Sequence, residues 1–222
     1  MRSIVHEIIP GVWQWRTVHP EWLPDEGWDP VVASHATVTG GRLVLIDPML
    51  PIGDDPVWDW IAAAAAGRNG VPVVLVTSRW HGRSARDVRE RFGAVVWAAD
   101  PSADALAGVD VVGGLDAPLP VPAITAIPAG DPSRPEVLLH LTERRALVAG
   151  DVLHGDGEGG LSHAPSGWTG HDPLSRTWLS EGRRSLRPLA SLDIEHVLVS
   201  HGEPVLHSGR DALRRLLLDI RV

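Results

Sequence analysis

Two stretches of this chain follow one plan, and that plan constrains the fold more than anything else in it. "VVLVTSRWHGRSARDVRERF" begins at Val73 and "HVLVSHGEPVLHSGRDALRRLL" at His196. Each is an apolar strand ending in Thr or Ser, a short loop carrying histidine, and an Arg-rich amphipathic helix. Two such units facing each other place both strand ends along one edge. Ligands in mixed α/β folds sit beyond the carboxyl ends of strands.

The rest of the chain alternates in the same way. "HATVTGGRLVLIDP" predicts a hairpin turning at Gly40-Gly41. "DPVWDWIAAAAAG" predicts a helix with Asp55 as N-cap, Pro56 in its first position and Gly67 as its stop. A strand over 72–77 then leads to a helix over 84–92, capped by Ser84 and ended by Gly93. "AVVWAAD" reads as a strand, "DPSADALAG" as a short helix and 123–128 as another strand. "EVLLHLTERRALVAGD" predicts a second hairpin, turning near Thr142 to Arg144. Residues 155–172 read as a long loop, followed by a helix over about 173–187, a strand over 194–199 and a helix over 209–218. No linker-like shift in composition divides residues 1–222, so a single domain is expected.

Composition then excludes several chemistries. The net charge of −8 argues against a nucleic-acid partner, which wants a basic face. All 20 cationic side chains are arginine, so Schiff-base and lysine general-base chemistry are out. Without cysteine there is no thiolate ligand, thiol nucleophile or disulfide. The N-terminal residues do not read as a leader peptide, and no apolar run reaches about 18 residues, so a cytoplasmic protein without membrane attachment is expected.

The order of "LVLIDP", "VVLVTSRWHGRS", "ITAIPAGDPS", "ALVAGDVL" and "HVLVSHGEPV" resembles the metallo-β-lactamase superfamily, from about residue 30 to the C-terminus. The resemblance implies a four-layer αββα sandwich. It also implies a Thr-His-x-His-x-Asp-His metal motif directly after a strand. Laid from Thr77, that motif has Ser78 and Trp80 at its first two histidine positions, Gly82 at the aspartate and Arg83 at the last histidine. A further family histidine falls on Gly130 in "PAG". Asp151 stands at the family's bridging aspartate and His201 at its final histidine, while Asp47 matches a position with a largely structural role.

These substitutions decide the expected chemistry. A catalytic zinc needs about three His, Asp or Glu ligands plus an open position. Tryptophan and glycine donate nothing, and the always-charged guanidinium of Arg83 repels a cation. No dinuclear site is expected, and less than one tightly bound zinc per chain. No other cofactor is implied. His81 reads as a partly exposed turn histidine bonded to backbone; alternatively it completes a one-metal set with Asp151 and His201. Without metals the Asp151 carboxylate would be buried and unpaired. Arg83 is therefore expected to bind it in a bidentate fork at about 2.7–2.9 Å, with Ser78 and His201 completing the network.

Ten tryptophans, no tyrosine and one phenylalanine form the second bias. Most are expected to fill core space, while Trp22, Trp28, Trp80 and Trp168 are candidates to line an apolar pocket over the site. His154, His163 and His171 read as solvated loop residues. The candidate site residues are thus Asp151, His201, Arg83, His81 and Ser78. Three functions compete: a protein with a dismantled zinc site that binds a small ligand or acts without metal, a one-metal hydrolase of an ester, lactone or related bond, and a non-catalytic partner-binding relative. The residues leave open whether the chain is an enzyme, its ligand and its oligomeric state.

Overall fold

The computed structural model describes residues 3–24, 28–51, 53, 55–130, 134–165 and 184–218. Its larger sheet has seven strands in sequence order: β1 (His6–Ile9), β2 (Val12–Val18), β3 (Val31–Thr39), β4 (Arg42–Ile46), β5 (Val73–Val76), β6 (Val95–Ala98) and β7 (Val111–Gly113). β1 to β4 pair antiparallel, and β4 to β7 are parallel. The predicted hairpin is β3–β4, and both of its turn glycines have positive φ, +56° and +72°. Glycine adopts that conformation without steric penalty.

A second sheet contains β8 (Ile124–Ala129), β9 (Glu136–Leu141), β10 (Ala146–Ala149) and β13 (His196–Val199), in the order β13-β10-β9-β8. β10 and β13 are parallel, and the other pairs antiparallel. The second predicted hairpin is β9–β10, turning through Thr142–Arg144.

Strand alternation builds the layers. Val44, Ile46, Val73, Leu75 and Trp97 from the first sheet bury against Val137, Leu139, Val148 and Leu198 from the second. Their neighbours Leu43, Leu45, Val74, Val76 and Val96 face the opposite way, onto α1 (Pro56–Ala65) and α2 (Ala85–Phe92). On the outer face of the second sheet, Leu138, Leu147, Val197 and Val199 pack on Leu213 and Leu216 of α3 (Gly209–Leu218). Strands buried on both faces read as continuous apolar runs, which is how they appear in the sequence. The result is the expected αββα sandwich.

Capping follows the sequence with one exception. Asp55 accepts the Val57 N–H, and Gly93 ends α2 in the left-handed region with its N–H on the Arg89 carbonyl. Ser84 stands at the N-cap position of α2, but its side chain makes no capping hydrogen bond; its hydroxyl accepts the Leu50 N–H at 3.0 Å instead. The "DPSADALAG" helix is only a 3-10 turn, Asp104–Leu106, because the Asp100 carboxylate closes a local turn on Ser102. At the start of the expected long loop, β11 (Leu153–Gly155) pairs with β12 (Leu161–His163), the Asp156 carboxylate tying off the turn through Glu158 and Gly160. The helix expected over 173–187 lies largely outside the described residues, which show a 3-10 turn over Arg187–Ser191. No described helix is long and apolar enough to cross a membrane.

Candidate functional site

The carboxyl ends of β4 and β5 meet those of β10 and β13 at a seam between the sheets. Val137 N–H donates to the Thr77 carbonyl at 2.9 Å, and Ala33 N–H to the Ser200 carbonyl at 2.9 Å, so the two sheets are tied backbone to backbone there. Asp47 follows β4, Thr77 to His81 follow β5, Asp151 follows β10 and His201 follows β13. All are buried.

His81 occupies the centre. A 3-10 turn over Arg79–His81 leaves Trp80 exposed and buries His81. Gly82 lets this turn pack closely, since a Cβ there would meet the Ala105 Cβ at 2.7 Å. His81 Nδ1 lies 2.8 Å from Asp47 Oδ2, and Nε2 lies 2.9 Å from Asp151 Oδ1. With a carboxylate at each nitrogen, both must carry protons to donate, which makes the ring an imidazolium. Burial and the Arg83 charge push its pKa down, but the two carboxylates raise it to about 9. Burial pushes Asp151 up, yet the His81 charge and the hydrogen bonds from His201 and His81 hold it well below the usual carboxylate range.

The remaining partners are fixed just as closely. Asp47 also accepts the Thr77 N–H at 2.8 Å and the Thr77 hydroxyl at 2.5 Å. Ser78 donates its hydroxyl to Asp151 Oδ2 at 3.1 Å, and His201 Nε2 stands 3.3 Å from Asp151 Oδ1. Ser78 thus rests on a carboxylate rather than an imidazole, so no Ser–His nucleophile pair forms here.

Ser78, His201 and Asp151 come together as the sequence implies, but two residues depart from expectation. Arg83 makes no fork with Asp151: its Nη1 donates to the Asp47 carbonyl at 3.3 Å, and among the described residues it forms no ion pair with a carboxylate. His81 is neither exposed nor bonded to backbone through its ring; it is the cation that Asp151 receives.

The described residues add two more, Glu136 and His154. Glu136, at the start of β9, is fully buried and accepts the Asp151 and Val152 N–H groups at 2.8 and 2.9 Å through Oε1. Burial and the Asp151 charge push its pKa up to about 8. His154 is buried rather than solvated, because β11 folds back over the His201 loop. Its ring stacks on His201 at 5.0 Å, and burial followed by the His201 charge lowers its pKa to about 4. His163 is half-buried on β12. Trp28 meets His201 edge-on at 5.3 Å and His19 at 5.3 Å, while Trp22 Nε1 donates to the Trp28 carbonyl at 2.7 Å. Of the pocket candidates among the described residues, Trp28 thus meets the site residue His201, and Trp80 carries the Arg134 guanidinium over its ring; Trp168 and His171 lie outside the described residues.

Could this site hold metal? One ion has a donor set of suitable chemistry: one ligand atom each from His81, Asp151 and His201, all within 4.8 Å of one another. Asp47 behind His81 is the carboxylate–imidazole support that metal-binding histidines use.

An αββα sandwich with its polar residues gathered along the shared strand-end edge is the metallo-β-lactamase fold. Comparison with solved structures agrees. The metallo-β-lactamase from Erythrobacter litoralis is 19% identical with a TM-score of 0.63, covering 97% of this chain and 91% of its own. That from Hirschia baltica is 15% identical at 0.66, covering 98% and 97%. FIM-1 from Pseudomonas aeruginosa, solved in its mono-zinc form, is 15% identical at 0.65, covering 98% and 94%. At these identities the likeness is one of fold. No family model and no curated protein matches the sequence.

Proposed function

We propose that this is a metallo-β-lactamase-like protein in which a buried imidazolium stands where the fold's metal ions would, and that its cleft binds a small ligand without metal. The observation that carries this reading is His81 spanning Asp47 and Asp151 at 2.8 and 2.9 Å. Charge balance supports it. At neutral pH Asp47 and Asp151 are negative and His81 and Arg83 positive, while Glu136 is protonated and His154 neutral. The cluster closes on itself with no divalent cation. The test is elemental analysis of protein purified without chelator, together with imidazole 15N spectra at pH 7. The expected result is less than one zinc per chain and two protonated nitrogens on His81. Zinc that survives dialysis at one per chain would overturn it. Thermal shifts across a metabolite panel then identify the ligand.

A second reading, a one-metal hydrolase of an ester or lactone, is favoured by the converging donors of His81, Asp151 and His201. A bound ion there would act as a Lewis acid and lower the pKa of its water. It would have to displace the proton from His81 Nε2. In that case His81→Ala releases the metal.

A further inference from the structure

We propose that Glu136 is the positioning residue of this site, fixing the direction in which Asp151 presents its carboxylate to His81 and His201. Nothing in the fold requires a carboxylic acid at the first position of a buried strand, and acidic side chains are almost never fully buried without a partner. Glu136 is 0% exposed. Its Oε1 accepts two successive backbone N–H groups, those of Asp151 and Val152. That bifurcated contact pins the turn after β10 at the residue whose side chain matters. Glu136 also bridges Ser78 in the backbone pairing, so one residue touches both strand-end loops.

The packing around that contact is close. A Cβ on Gly150 would lie 3.0 Å from Glu136 Oε1 and 2.6 Å from Thr77 Oγ1, so the missing side chain is what admits the carboxyl. Glu136 Oε2 is buried and has no hydrogen-bond partner among the described residues. A group kept at that expense acts through its other oxygen. The inference holds whether an imidazolium or an ion stands opposite Asp151, since both need the same carboxylate direction.

The test uses the 15N-labelled full chain with Glu136→Ala and Glu136→Gln. Two readouts are taken: amide exchange at 151 and 152 relative to the amides of β9 and β10, and the imidazole 15N signals of His81 and His201. In Glu136→Ala the two amides should exchange at least about tenfold faster, with the strand amides unchanged. The imidazole signals should move with them. Glu136→Gln retains an acceptor at Oε1 and should restore both. Unchanged imidazole signals in Glu136→Ala would overturn the proposal, as would a Gln variant no nearer wild type than the Ala variant. Should Glu136→Ala fail to fold, Glu136→Asp replaces it: one methylene shorter, it should lose protection at 151 and 152, and wild-type protection there would sink the idea. Zinc in the purified protein would overturn the imidazolium reading and leave this one standing.

Discussion

His81 Nε2 lies 2.9 Å from Asp151 Oδ1, while Arg83, two residues further on, donates to the Asp47 backbone carbonyl and not to the Asp151 carboxylate. The cation that neutralises Asp151 is therefore an imidazole from the middle of the "RWHGR" loop, not the guanidinium that stands at a metal-ligand position. Its second nitrogen on Asp47 makes the contact rigid, because both ends of the ring are held.

That arrangement makes a stranded charge the main consequence of mutation. His81→Ala removes the cation held between two buried carboxylates and should destabilise the fold by roughly 3–5 kcal/mol. Combining it with Asp151→Asn should recover part of the loss, with a coupling of at least about 1 kcal/mol in a urea double-mutant cycle. The matching cycle between Arg83 and Asp151 should give a smaller coupling. Equal couplings would mean that Arg83 neutralises Asp151 after all.

Stability should pass through a maximum near pH 6.5. The folded pKa of His81, about 9, is raised above the ordinary 6.5. Its contribution is full below pH 6.5 and is lost as pH rises through 9, by an amount on the order of 3 kcal/mol. Glu136, raised from 4.5 to about 8, loses stability in the same direction between those values. His154 and His35 work oppositely. Each is lowered from 6.5 to about 4, so their contribution is present above pH 6.5 and lost as pH falls through 4. Asp47 and Asp151, both lowered, add to the acid loss only below 3.8. Urea midpoints measured from pH 4 to 10 check the shape; a flat profile above pH 6.5 would remove the imidazolium.

Much of this site was legible in the sequence because strand ends are. Asp151, His201 and Ser78 follow apolar runs directly, and their meeting is a property of the sandwich. The direction of His81 was not. Taken as an extended turn, "SRWHG" places adjacent side chains on opposite sides. The chain instead makes a 3-10 turn over Arg79–His81, whose steep rotation per residue separates the exposed Trp80 from the buried His81. Glu136 was hidden for a different reason. It opens the apolar strand "EVLLHL", where an acidic residue reads as a solvated strand end, and only the β9–β10 pairing reveals what it touches.

Gly150 should tolerate no side chain. Its added Cβ would press on Thr77 Oγ1 at 2.6 Å and Glu136 Oε1 at 3.0 Å, both already hydrogen-bonded. Both atoms are held in place by buried hydrogen bonds, so Gly150→Ala should cost about 1–3 kcal/mol by overpacking. A melting temperature equal to wild type would show that the seam can relax.

Trp28 should control the acidity of His201. Burial is the largest cause of the lowered His201 pKa, opposed by its hydrogen bond and charge interaction with Asp151. The Trp28 ring, edge-on at 5.3 Å, supplies part of that cover. Trp28→Ala admits water to the imidazole, weakens the desolvation and leaves the Asp151 attraction in place. The His201 pKa should therefore rise, while His81, sealed on the opposite side by Asp47 and Thr77, should keep its own. Titration of the two rings by NMR separates the outcomes. A His201 value that stays put, or falls, would mean that His154 on its other face provides the cover and that Trp28 only borders the site.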